Sequence, residues 1–336
     1  MTPPPPRFDV VAIGNAIVDV ICAKDDAFLA AHGLAKGVMQ PIAADHAIAL
    51  QNAMGLCEEI GGGSAANTLV GAAALGLRPA FIGQLGDDRL GAIFRQGLTD
   101  RGIAFETPPL TDGTPTGRCL IIVSPDGHRT MNTAIGASEY LPEPALDRRL
   151  IEDSAILLLE GYMWATEQPR AASRAAIDIA RAAGRKVAFT LSAEWCIRRH
   201  KADFRALIED GLIDILFANE AELHELSGSA DLDRTIAWAA RHVGLVFVTR
   251  GAAGAIVIEG AVRHEGPAEP DGPVIDTTGA GDLFAAGILA GLVARQPLPL
   301  VLRMGAIAAG RIVTQVGPRL DADDNLAALV AARLGR

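Results

Sequence analysis

The sequence predicts an α/β protein with a mainly parallel central sheet, helices on both of its faces, and a small separate β-sheet that serves as a lid. Three observations predict it. Short apolar runs alternate with alanine-rich stretches of helical length from Phe8 to Thr314, which is the rhythm of βαβ units. Half of the 336 residues are apolar but only 4% are aromatic, a composition suited to helices packed closely over a sheet. Two stretches then break the rhythm and read as strands of another sheet.

Phe8–Ile13 (FDVVAI) reads as a buried strand that stops at Gly14. Further strands are expected at Ala80–Ile82, Ala155–Leu159, Val187–Thr190, Ile213–Phe217, Leu245–Thr249 and Ala255–Ile258. Helices are expected at Ala65–Ala74, Asp88–Arg101, Gln168–Ala183, Lys201–Glu209, Glu220–Leu226, Leu232–Arg241, Ala280–Ala294 and Leu300–Thr314. The first interruption is Val18–Ala23 with Gly37–Ile42. The second is Arg118–Ser124, then Pro125-Asp126-Gly127, then Arg129–Asn132. Proline sets the first corner of that turn and Asp-Gly supplies its tight bend, so this is a hairpin. The expected division is a core of residues 1–14, 44–105 and 136–336, with a discontinuous lid of 15–43 and 106–135.

Charge and composition exclude several classes. The net charge is −10 without a Lys/Arg cluster, so no nucleic-acid footprint is present. No apolar run reaches ~18 residues uninterrupted, so no membrane span is expected. Nor does the N-terminus follow a secretory pattern; its proline run reads as a frayed tail. The cysteines, Cys22, Cys57, Cys119 and Cys196, form no C-x-x-C pair or zinc pattern. Four free thiols in a reducing cytoplasm are expected. The seven histidines are scattered without ligand spacing.

The chemistry concentrates in Asp276-Thr277-Thr278-Gly279-Ala280-Gly281-Asp282, directly ahead of an apolar run. Glycines let backbone amides approach a ligand, and a helix starting here aims free N–H groups at an anion. A capped helix start is the plain alternative, but capping alone does not explain a second carboxylate behind two glycines. Phosphoryl transfer with Asp282 as base is the expected chemistry. The segment has no Gly-Lys-Ser/Thr, so backbone amides and metal must do the work of a phosphate-cradling lysine.

Other motifs are each ambiguous alone. Gly61-Gly62-Gly63-Ser64-Ala65-Ala66-Asn67 is either a flexible turn capped by Ser64 or a backbone shelf for a polyhydroxylated ligand. It is no dinucleotide fingerprint, which disfavours an oxidoreductase. Asn219-Glu220-Ala221-Glu222 is either a capped helix start or an amide–carboxylate pair able to hold hydrated Mg²⁺. Asn15 and Asp19 flank the turn after the first strand, where ligands of open α/β sheets sit; a solvated turn acid is the alternative. Tyr162, Trp164 and Trp195 each follow an expected strand and are either packing residues or a platform for a flat ring.

Together these motifs resemble the ribokinase-like, or phosphofructokinase-B, family of carbohydrate and nucleoside kinases. Gly61–Gly91 and Asp276–Leu289 resemble its two signatures, and Asn219-Glu220-Ala221-Glu222 resembles its N-x-x-E magnesium motif. Within the family the chain is most similar to adenosine kinases, through Gly14-Asn15-Ala16-Ile17-Val18-Asp19, Pro115-Thr116-Gly117-Arg118-Cys119, Leu191-Ser192-Ala193-Glu194-Trp195 and Asp214-Ile215-Leu216-Phe217-Ala218-Asn219-Glu220. The resemblance implies that Asn15, Asp19, Gly62, Gly63 and Asn67 hold a ribose, with Trp195 against the nucleobase and Cys119 nearby in the lid. It implies that Asn219, Thr249, Arg250, Gly251 and Thr277 contact ATP and that Gly279, Ala280 and Gly281 form an anion hole. Asp282 takes the place of the base, and Asn219 and Glu222 hold Mg²⁺ through water. The implied activity is ATP-dependent phosphorylation of a primary alcohol, adenosine first, with a free sugar such as ribose or fructose, or inosine or guanosine, as alternative acceptors. Segments 132–137 and 160–167 depart from the animal adenosine kinase pattern. Activation by a monovalent cation such as K⁺, and a monomer or a homodimer, are left open.

Overall fold

The computed structural model describes residues 6–321 and 323–335; most of the proline run expected as a tail lies outside them. The central sheet has eight strands. Six run parallel in the order Leu245–Thr249, Ile215–Asn219, Lys186–Thr190, Ser154–Glu160, Phe8–Ile13, Pro79–Ile82. Beside Leu245–Thr249, Ala255–Glu259 and then Val262–Gly266 continue the sheet antiparallel. The last of these was not expected: its VRHEG sequence lacks an apolar run because it is an exposed edge.

Successive side chains of a strand point to opposite faces, and here both faces are covered. Val10 and Ala12 join the layer containing helices Ser64–Ala74, Arg89–Thr99, Ala280–Val293 and Leu298–Ile312. Val11 and Ile13 join the opposite layer, with helices Glu167–Ala182, Glu194–Glu209, Glu220–Ser227 and Leu232–Ala240. That is why the parallel strands read as continuous apolar runs. Two helices of the first layer meet at a glycine: a Cβ at Gly71 would stand 2.6 Å from Leu283 and 2.9 Å from Ala286. This close approach carries helix Ser64–Ala74 against the start of helix Ala280–Val293.

The smaller sheet has five strands, ordered Met39–Pro41, Arg129–Ala134, Gly117–Val123, Ile17–Ala23, Glu58–Gly61. Residues 44–61, expected with the core, run along this sheet instead. Helix Ala44–Met54 packs on the strands Gly117–Val123 and Arg129–Ala134, and Glu58–Gly61 pairs antiparallel with Val18–Ile21. The cysteine expectation also needs correction. Cys22 and Cys57 form a disulfide joining the lid strand to the segment ahead of Glu58–Gly61, with Cα atoms 5.0 Å apart. Cys119 and Cys196 are free, as expected, and both are buried. Among the described residues no helix is long and apolar enough to cross a membrane.

Candidate active site

The carboxyl ends of the parallel strands bring the expected residues to one side of the sheet. Gly14 follows the first strand, and the paired registers align Glu160 with Thr190 and Asn219 with Thr249. Helix Ala280–Val293 starts over this edge. Its cap, Gly279, has φ 81° and lies where a Cβ would meet the Pro318 carbonyl oxygen at 2.7 Å; glycine is required on both counts. Asp282 therefore sits in the first helical turn, beside the free amides of that terminus.

Asp282 accepts from Ser64 Oγ at 2.6 Å and from Asn67 Nδ2 at 3.2 Å. Burial pushes its carboxyl up to about 6, against the pull of those two hydrogen bonds and of the Arg319 charge. It is thus ionised at neutral pH yet close enough to neutrality to exchange a proton. A cleft of about 270 Å³ opens beside it, lined by Gly279, Gly281, Ser64, Tyr162, Asn219 and Glu222 among others. An adjoining cavity of about 530 Å³ is mostly apolar and takes in Thr249, Gly251, Thr277, Ala280 and Gly281.

Through Asn67, Asp282 also adjoins a polar shelf. Asn15, Asp19 and Asn67 are all buried. Gly62 admits Asp19, whose carboxylate would be 2.6 Å from a Cβ there. Burial raises the Asp19 carboxyl to about 7, with Arg319 and Arg129 opposing the rise and Asp282 adding to it. Cys119 stands in register with Asp19 on the next lid strand. Its thiol accepts from Thr133 Oγ1 at 3.2 Å and is pushed up to about 12 by burial, so it is a wall of the shelf rather than a nucleophile.

The structure distinguishes the alternatives left for several of the expected residues. Asn219 and Glu222 cap their helix reciprocally: Glu222 N donates to Asn219 Oδ1 at 2.8 Å and Asn219 N to Glu222 Oε2 at 2.9 Å. The capping reading of the motif is therefore realised, while both side chains still line the cleft. Arg250 does not line the large cavity with its neighbours Thr249 and Gly251; it pairs with Glu220 at 3.2 Å and Glu265 at 3.7 Å. The aromatic residues divide. Trp164 is core, packed edge-on against Phe189 and Phe204, whereas Trp195 is 36% exposed with its ring centroid 5.9 Å from that of Tyr162.

Residues 50–325 match the pfkB family carbohydrate kinase profile. The chain belongs to that family. A solved adenosine kinase from Sinorhizobium meliloti is 41% identical, with TM-score 0.89 over 98% of this chain and 100% of that one. A probable sugar kinase from Rhizobium etli is 35% identical, with TM-score 0.90 over 98% and 99%. A Klebsiella pneumoniae fructokinase is 31% identical over 239 residues, 69% of this chain and 77% of that protein. The chain is an ATP-dependent pfkB-family kinase with the ribokinase-like fold.

Three groups at this kinase's site were not expected from sequence. Glu160, buried at a strand end, accepts from Asn15 N and Ala65 N, each at 2.8 Å. It ties the shelf residue to the helix that carries Ser64 and Asn67; the only sequence signal was an acid closing an apolar strand. Glu160→Gln turns an NH₂ toward one of these N–H groups. Leaving that donor unmet should cost about 1–3 kcal/mol of stability, read as a lower urea midpoint. Arg129, on the lid hairpin, pairs with Asp276 at 2.8 Å and donates to Thr278 Oγ1 at 3.3 Å, fastening lid to core beside the start of helix Ala280–Val293. Burial alone would raise Asp276, but hydrogen bonds from Gly317 and Thr278 and the Arg129 charge hold it below the usual carboxylate range. Arg319 is the third.

Proposed function

We propose that this kinase transfers the γ-phosphoryl group of ATP to the primary hydroxyl of a ribosyl acceptor, adenosine to AMP in the first place, with Asp282 as general base. The observation that carries the reading is the company Asp282 keeps. It shares a cleft with Gly279, Gly281, Asn219 and Glu222, next to an apolar cavity suited to a nucleotide, and it accepts from Asn67, which with Asn15, Asp19, Gly62 and Gly63 offers a shelf suited to hydroxyls. The 41% identity to the Sinorhizobium meliloti adenosine kinase supports adenosine as the acceptor. The Klebsiella pneumoniae fructokinase likeness supports a free sugar as the second reading.

In this mechanism the Asp19 carboxylate accepts hydrogen bonds from the 2′ and 3′ hydroxyls and so points the 5′ hydroxyl at Asp282. Asp282 takes the 5′ proton as that oxygen bonds to the γ-phosphorus, while the bond to the β,γ-bridging oxygen breaks and ADP departs. The amides of Gly279, Ala280 and Gly281 face the charge on the transferring group, where preorganised donors do most. Thr249, Gly251 and Thr277 line the nucleotide cavity. The Glu222 carboxylate has one oxygen engaged by the cap and one remaining, and with Asn219 it offers the few oxygens that a hydrated Mg²⁺ takes; bound there, Mg²⁺ supplies charge neutralisation for the phosphates. Trp195 and Tyr162 form an aromatic edge for the acceptor's base. A closed lid excludes water from the γ-phosphate.

An ADP-release assay with Mg-ATP across adenosine, inosine, guanosine, ribose and fructose tests the acceptor. Adenosine is expected to give the highest kcat/KM. A clear preference for fructose or ribose replaces the nucleoside reading with the sugar one.

A further inference from the structure

Arg319 follows the last long helix, 37 residues beyond Asp282, and its guanidinium is turned inward and buried. Nε donates to Asn67 Oδ1 at 2.8 Å and Nη2 to the Gly62 carbonyl at 2.9 Å. The Phe94 ring lies 5.9 Å from the guanidinium carbon. Gly61 leaves the room this needs, since a Cβ there would overlap Nη1. Burial lowers the guanidinium to about 10, so it stays charged at neutral pH.

Arginine carries donors only, whereas a side-chain amide has one accepting and one donating end. With Nε–H against it, Asn67 must turn Oδ1 toward Arg319. Its NH₂ end then faces Asp282, 3.2 Å from Oδ2. An amide donor favours the carboxylate form of its partner; an amide oxygen in the same place would favour the protonated acid. We propose that Arg319 is a positioning residue that locks the orientation of the Asn67 amide and thereby holds Asp282 as a carboxylate ready to accept a proton. The inference rests on the reading of Asp282 as the base.

The surroundings leave this task to Arg319. Ser64 and Asn67 face Asp282 from helix Ser64–Ala74. Asp19 from the lid and Glu160 from the sheet both feel its charge, as does the phenol of Tyr162, and like charges favour protonation. Among the described residues the cation acting on Asp282 is Arg319; Arg129 acts on Asp19 and is paired with Asp276. Two acidic neighbours are thus opposed by one guanidinium and by an amide whose direction that guanidinium sets.

The test is a ¹³C NMR titration of the Asp282 carboxyl in aspartate-labelled protein, assigned by Asp282→Asn. Arg319→Gln should move the midpoint upward from about 6 by about 1 pH unit or more, and the acid limb of kcat should follow it while KM for ATP stays. Arg319→Lys keeps the charge without the fork and should give a smaller upward shift; it also serves if the glutamine variant does not fold. In an Asn67→Ala background the Arg319→Gln shift should shrink, because the amide no longer transmits it. An unmoved midpoint in the folded variants overturns the role of Arg319, and equal shifts in both backgrounds overturn the passage through Asn67. Near-normal kcat in Asp282→Asn overturns the base reading instead, and the inference with it.

Discussion

Asp282→Asn should lower kcat by about 10²–10⁴-fold, the usual worth of general-base assistance, while ATP affinity measured by calorimetry changes little. Asparagine fills the same volume at the start of helix Ala280–Val293 and can still meet Ser64 and Asn67, so the loss is chemical rather than structural. What disappears is the ability to take the acceptor's proton as its oxygen attacks. The pH profile makes a sharper statement. Burial holds the Asp282 carboxyl up at about 6, so the base is ionised above that pH and protonated below it. With acceptor saturating, kcat of the unaltered kinase should therefore fall as pH drops through about 6, and this limb should be missing from the kcat of the asparagine variant. Protonation of Asp19, held up at about 7, should appear separately in kcat/KM for the acceptor and should remain in that variant. A variant with near-normal kcat removes Asp282 from the role.

Asp19→Ala should instead act on the acceptor. Two vicinal hydroxyls bound to one carboxylate form two charge-assisted hydrogen bonds, each worth about 1.5–3 kcal/mol. Their loss together should reduce kcat/KM for the acceptor by roughly 10²–10⁴-fold. Both parameters should suffer, because the same grip that binds the sugar aims its primary hydroxyl at Asp282. ATP binding without acceptor should be close to normal, since Asp19 belongs to the lid and not to the nucleotide cavity. Unchanged acceptor KM and kcat would remove Asp19 from the shelf. Steady-state kinetics varying each substrate in turn separates these outcomes.

The strands and helices of the core were legible because each is buried on a repeating face. FDVVAI and the run through Leu245–Thr249 have both faces covered, so they are apolar except at Asp9 and Thr249 near their ends, and the Ala-rich helices carry their stripe plainly. Asp282 and its glycines were legible for a different reason: two glycines followed by an acid has few other uses. Elements that depend on distant partners did not stand out. Helix Ala44–Met54 buries only Ala47, Leu50 and Met54, a thin stripe with exposed or half-exposed alanine and isoleucine beside it, so its apolar face is not marked by the sequence pattern, and strand Glu58–Gly61 shows two acids because it is an edge. The Cys22–Cys57 bond joins residues 35 apart, a pairing that nothing local marks. Glu160 and Arg319 escaped notice because their partners, Asn15, Ala65, Gly62 and Asn67, lie on other segments of the chain. A buried charge is recognisable only once its surroundings are assembled. The Asn219–Glu222 motif was visible, but its capping box and its place in the cleft coexist, so sequence alone could not choose between them.

The close contact at Gly71 has a consequence for how such enzymes diversify. It presses the helix bearing Ser64 and Asn67 onto the helix bearing Asp282, so the proton acceptor and both of its donors ride on one stiff pair. Asp19, Cys119 and Trp195, which would meet the rest of the acceptor, are mounted elsewhere, on the lid and on the opposite helical layer. Changes at Cys119 or Trp195 can alter which molecule is accepted without retuning the carboxylate that reacts with it; Asp19, coupled to Asp282 by charge, is the exception. One reaction centre can in this way be inherited by proteins that differ in their choice of alcohol, a separation of chemistry from recognition built into the packing of two helices.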